Sequence, residues 1–211
     1  MNKEQKYYDF DFEIEAVLEN SSVTDMFYLK DTIRRKFHLN DTVSQDTVAD
    51  ICRHIMQINH EDEGILVDKR RPIILYISSN GGSVPDGYQL IDAIENSITP
   101  VYTVVVGYAY SMALLISLAG QKRFAMPNAT LLMHDGSNFI WDSGSKAQDQ
   151  ADFNKRLNLR IRDYILSHSK LTPEEYDAKL RVEWFMFAEE AKEKGFVDKI
   201  VGIDCRIEEI V

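Results

Sequence analysis

The sequence predicts an α/β fold built from repeated βαβ units. Residues 73–78 (IILYIS) and 101–106 are short β-branched and aromatic runs that read as buried strands. Residues 84–94 lie between them with helical character, and the Ala-, Leu- and Met-rich stretch 111–119 follows the second run as another helix. Residues 130–133 form a third strand. Strand, helix, strand, helix, strand makes two crossovers, and such crossovers build a parallel sheet with right-handed connections.

The remaining elements follow in chain order. Residues 1–30 are acidic and aromatic without a clear period, and read as a peripheral arm ahead of a single domain over 31–211. Val43, Val48, Ile51, Ile55 and Met56 recur at roughly helical spacing over 42–58. Asn80-Gly81-Gly82 reads as a sharp turn, and Pro100 marks the next boundary. Ser145-Lys146-Ala147-Gln148 fits a capping box. The helix it opens can run to about residue 169, an arm of roughly 35 Å, long enough to protrude. Thr172 caps another helix with Pro173 in its first turn. Residues 188–194 form a short helix stopped by Gly195, and 196–201 return as a strand.

Composition narrows the function. The chain has 211 residues with 24 basic and 34 acidic side chains, a net charge of −10. Nucleic-acid binding needs a basic stripe, so that class is disfavoured. Cys52 and Cys205 lie far apart with no CxxC, which excludes a disulfide scaffold or zinc ribbon and suits a reducing, cytoplasmic compartment. The N-terminus lacks the apolar core of a signal peptide. No charged residue lies between Glu95 and Lys122, a stretch long enough for a membrane span. Its β-branched first half, Gly107 break and helical second half predict instead a strand, a turn and a helix inside a core.

In parallel α/β sheets, reactive groups gather where strands give way to helices. Three such points stand out. The glycines of Ser78-Ser79-Asn80-Gly81-Gly82 let backbone N–H groups approach a bound oxygen, although a tight turn alone would also explain them. Ser111 falls where a buried strand enters an apolar helix. There it is either a plain N-cap or a nucleophile beside the free N–H groups of Met112 and Ala113. His134 ends an apolar strand, as a structural histidine or a general base. No histidine pair has metal-ligand spacing, and no GxSxG or GxxxxGK[ST] motif is present.

Taken together, LYISSNGGSV, GYAYSMALLISLAG, KRFAMPNATLLMHDG and FMFAEEAKEKGFVDKIV, in this order and spacing, resemble the Clp protease proteolytic subunit family over residues 34–201. The resemblance implies the spiral βαβ fold of the Clp protease and crotonase type, with a handle over about 136–170. It implies Ser111 as nucleophile, His134 as base, and Gly82 and Met112 as oxyanion donors, with Gly81, Asp135 and Gly136 beside the substrate. The family's triad acid, normally aspartate, falls on Glu183, one methylene longer. Asp177 and Asp135 are alternative acids. Asn80 stands where the family usually has proline, and Asp135-Gly136 where it has Gln-Pro. The acidic-basic pair that links rings in many members reads Arg181-Val182 here.

The resemblance further implies a serine endopeptidase acting on peptides or unfolded proteins without cofactor or metal. It implies a homo-oligomeric heptameric or double-heptameric ring, served by an AAA+ unfoldase, with neither nucleic acid nor membrane as partner. Three other readings stay open. A catalytically silent ring subunit is suggested by Glu183 and the changes around His134. A crotonase-type acyl-CoA enzyme would share the fold but need no Ser–His relay. A membrane-associated peptidase would need the uncharged run to span.

Overall fold

The computed structural model of the chain describes residues 22–135 and 144–210. Contacts divide it into two units, 1–37 and 38–211. The described part of the first unit is mainly helix α1 (Val23–Ile33), opened by a reciprocal Ser22–Asp25 capping box. Strand β1 (Lys36–Leu39) crosses the division. Then follow α2 (Gln45–Glu61), β2 (Ile73–Ser79), α3 (Val84–Glu95), β3 (Val101–Tyr110), α4 (Met112–Leu118), β4 (Lys122–Ala125) and β5 (Thr130–Met133). After these come α5 (Gly144–Ser167), α6 (Pro173–Lys179), β6 (Trp184–Phe187), α7 (Ala188–Glu193) and β7 (Lys199–Ile200).

The predicted α/β class and its parallel sheet are present. The strands run in the order β1-β2-β3-β4-β7, and β3 also pairs with β5. Strand β3 serves two partners in succession. Residues 102–105 pair with β4, and 108–110 pair with β5. Gly107, expected to end this strand, lies between the two partners at φ +94°, so it redirects the chain without stopping it. The β2–β3 register also shifts between Ile77 and Ser79, where Ser79 comes opposite Ala109. Strand β6 adds an antiparallel edge to β5, which the sequence reading did not foresee. Strands β1 and β4 were likewise not foreseen, and β7 occupies only two of the residues expected in it.

The uncharged run folds as expected into a strand and a helix. Among the described residues no helix is long and apolar enough to cross a membrane. All seven residues of α4 are buried, so this helix is apolar all round because it is covered all round. It packs on α3 so closely that a Cβ on Gly87 would lie 2.3 Å from Met112 Cγ. Helix α2 covers the core through Val48, Ile51, Cys52, Ile55 and Ile58. By contrast, the 24-residue α5 buries only Ile165. Helix α6 opens with the expected Thr172 cap, completed by Glu175. Arg123 ties β4 to the chain before β7 through a forked pair with Asp198, and donates to the His168 carbonyl.

Candidate active site

The fork in β3 delivers Ser111 to the start of the buried helix α4. Its N–H donates to Leu132 O at 3.1 Å, continuing the pairing with β5. Its carbonyl accepts from Leu114 N–H at 3.0 Å and begins α4. Between these two bonds the backbone is held at φ 53°, ψ −122°, a region that costs a non-glycine residue about 1–3 kcal/mol. An N-cap serine would have extended backbone and a hydroxyl bonded to the helix start. Ser111 has neither, so the plain N-cap reading fails. The first-turn N–H groups of Met112 and Ala113 have no intrahelical acceptor, and the helix start carries partial positive charge.

The Gly81–Gly82 segment lies against this elbow. A Cβ on Gly81 would sit 2.6 Å from Tyr110 O, 2.8 Å from Met112 N and 2.9 Å from Ser111 Cβ. Only glycine lets the two backbones meet there, and φ +88° adds a second requirement for it. The tight-turn reading also needs correction, because Gly82 forms a parallel bridge to Val43. Val43 N–H donates to Gly81 O at 2.9 Å, and Ser83 N–H donates to Val43 O at 2.8 Å. Val43 thus uses both of its backbone groups on the residues flanking Gly82, so the N–H and C=O of Gly82 itself turn away from Val43.

His134 follows β5 and is half-buried. Its Nε2 is buried without a hydrogen-bond partner among the described residues. Glu183 precedes β6. Met133 pairs with Trp184 at the end of this antiparallel ladder, so His134 and Glu183 are the residues that adjoin the last pair on its two strands. Trp184 is anchored by its indole N–H to Glu190 Oε1 at 2.9 Å and by an edge contact with Phe196. Glu183 itself is exposed, and no hydrogen bond joins it to His134 among the described residues. Of the alternative acids, Asp177 accepts from Arg162 Nε at 3.2 Å, and Asp135 is exposed. Gly136 lies outside the described residues.

Ser111, Met112, His134 and Asp135 line one cavity of about 470 Å³. Its walls are mainly apolar, from Leu114, Leu115, Leu132, Leu159, Ile165 and Leu180. Tyr176 is buried at the wall, and desolvation raises its phenol pKa. The cavity can therefore receive an apolar side chain beside a hydroxyl, an imidazole and a helix start. Among the described residues no group of three or more His, Cys, Asp or Glu could hold a metal ion.

Sequence reasoning missed Val43, which orients Gly82, and the wall from α5 and α6. Their signals lay in tertiary pairing. Ser79 was noticed only as part of a motif, but its hydroxyl bonds Asp41 O and Gly81 N–H.

Comparison with known proteins places the chain in a family. A relative from Frankia casuarinae, described as ATP-dependent Clp protease proteolytic subunit 1, is 35% identical over 167 residues, covering 76% of this chain and 74% of its own length. The Clp protease family profile matches residues 20–204, from before α1 to beyond β7, and the chain belongs to that family.

Proposed function

We propose that this Clp-type proteolytic subunit is a serine endopeptidase in which Ser111 is acylated by its substrate. The observation that carries the reading is the strained, uncapped Ser111 in the same apolar cavity as His134, whose Nε2 has no partner among the described residues. Ser111 Oγ attacks a peptide carbonyl while His134 Nε2 takes its proton and later gives it to the leaving amine. Glu183, which like His134 adjoins the last pair of the β5–β6 ladder, holds the imidazole in the required tautomer. The N–H groups of Gly82 and Met112 bind the oxyanion, and losing one such donor typically costs ~100- to 1000-fold in rate. The substrate adds as an extended strand along Gly82, with Gly81, Asp135 and Gly136 beside it. Water then releases the acyl group.

The wider assignments rest on kinship. The catalytic domain spans 31–211 behind a divergent arm. The name of the Frankia relative, a subunit of an ATP-dependent protease, supports an ATP-driven partner, which we take to be an AAA+ unfoldase delivering unfolded protein. Membership of the family supports a heptameric ring, single or double, and α5, burying only Ile165, suits the handle that would join two rings. The two buried free thiols suit the cytoplasm.

The exposure of Glu183 and its lack of a bond to His134 favour a second reading, a silent ring subunit. A fluorophosphonate probe, with a Ser111→Ala control and the mass of the particle in solution, separates the two. Labelling at Ser111 that requires His134 supports the peptidase. An intact ring that stays unlabelled supports the silent subunit.

A further inference from the structure

Gly81 and Gly82 form the softest dipeptide available to a chain, yet the proposed oxyanion donor on Gly82 must point in one direction. Something outside the glycines has to hold them. Val43 holds the far flank, accepting from Ser83 N–H and donating to Gly81 O. The near flank is held by Ser79, which is 1% exposed and is the last residue of β2. Its hydroxyl donates to Asp41 O at 2.6 Å and accepts from Gly81 N–H at 3.1 Å. One hydroxyl therefore joins the loop before Val43 to the first glycine amide. Both satisfied groups belong to the backbone, and removing the hydroxyl would leave them unpaired. The register shift between Ile77 and Ser79 sets this side chain beside the turn.

We propose that Ser79 is a positioning residue for the oxyanion-binding turn: its hydroxyl fixes the Asn80–Gly81 peptide against the chain before Val43, and with Val43 holding Gly81 O this sets the next peptide so that the Gly82 N–H faces the carbonyl attacked by Ser111. The proposal rests on the serine-peptidase reading above. Ser79 touches neither substrate nor the reacting atoms. Its effect belongs to the transition state, when the carbonyl oxygen becomes negative, more than to binding of the neutral peptide.

The test uses the full chain with Ser79→Ala and Ser79→Cys, the second nearly keeping the side-chain volume while weakening both bonds. With a fluorogenic peptide, kcat should fall about 10-fold, short of the ~100- to 1000-fold expected for outright loss of an oxyanion donor, with KM within about twofold. Affinity for a peptide aldehyde, whose hemiacetal oxygen needs the same donors, should fall in parallel with kcat. Hydrogen exchange at the amides of 81–83 should quicken in both variants while that of α4 stays unchanged. A kcat that stays at the wild-type value, or a loss shared equally by kcat and the affinity for substrate peptide, overturns the proposal. Should wild-type Ser111 take no fluorophosphonate label, the peptidase reading is the one that fails. Exchange at 81–83 then decides on Ser79 alone: quickening supports its hold on the turn, and unchanged exchange overturns it. Should Ser79→Ala not fold, Ser79→Cys carries every readout.

Discussion

Replacing Gly81 with alanine separates two reasons for a glycine that usually occur together. At φ +88° an alanine pays the left-handed penalty of about 1–2 kcal/mol, partly offset by a stiffer unfolded chain worth about 0.4–1 kcal/mol. Gly202, at φ +82°, bears the same strain with nothing within 4 Å of its Cβ position. Gly202→Ala therefore measures strain alone, a net loss of about 1 kcal/mol. At Gly81 the new methyl meets Tyr110 O at 2.6 Å and Met112 N at 2.8 Å, both backbone atoms that cannot swing aside. Forcing such an overlap adds about 1–3 kcal/mol. Gly81→Ala should thus be the less stable of the two by that amount, which for a chain of this size lowers Tm by a further ~2–12 °C. Urea unfolding followed by tryptophan fluorescence gives both midpoints. Because the methyl also pushes on the elbow, any folded Gly81→Ala should label with fluorophosphonate far more slowly than Gly202→Ala. Equal midpoints for the two variants would refute the claim that close backbone approach fixes glycine at 81.

Other expectations are as direct. Ser111→Ala and Ser111→Gly should both abolish labelling. Glycine should be the more stable by about 1 kcal/mol, since it relieves the φ 53° strain of about 1–3 kcal/mol against an entropic penalty of about 0.5–1 kcal/mol, and equal urea midpoints would deny the strain. If Glu183 orients His134, Glu183→Ala should lower kcat by more than about 100-fold, against the ~10⁴ known for a triad acid changed to its amide, whereas undiminished turnover would assign the role to another acid. The Thr172 N–H and the Lys194 ammonium hold the Glu175 carboxyl below its ordinary value of 4.5, so the stability it adds is fully present above that pH and is lost as pH falls through the lowered value. Glu175→Gln should remove that part of the acid-side fall in urea midpoint, and an unaltered profile would exclude it. Burial pushes the Cys52 thiol up to about 11, so iodoacetamide at pH 8 should modify it in urea but hardly at all in the native protein, as peptide mass analysis would show.

What was legible in the sequence was whatever local chemistry determines. The β-branched runs at 73–78 and 101–106 are strands because such side chains suit a buried pleat, and Thr172 with Glu175 caps a helix wherever that helix packs. Ser111 and His134 were legible as candidates because each falls at the end of a strand. What escaped notice depends on pairing between distant segments. Trp184–Phe187 is an apolar run of only four residues, too short for its period to tell strand from helix, and two of them are exposed; it becomes a strand by lying along β5. The reading of Gly107 as a break was sound local chemistry with the wrong outcome, since a new partner was waiting on its far side.

The same distinction decides how the candidate site is built. Ser111, Met112 and His134 are delivered by one local stretch, β3 through β5, and the cavity gathers them. The remaining parts are borrowed. Gly82 takes its direction from Val43, some forty positions earlier, and Glu183 is brought to the end of β5 only through an edge strand about fifty positions later. A change in the local stretch would remove the proposed nucleophile or base, whereas a change in a borrowed part would leave both in place and alter their orientation. Glutamate at 183 is a change of the second kind. In the proposed relay it lengthens the acid by one methylene at an exposed position beside an edge strand, so small movements of β6 against β5 would govern the strength of that relay. In keeping with that, Glu183 is exposed and makes no hydrogen bond to the half-buried His134 among the described residues.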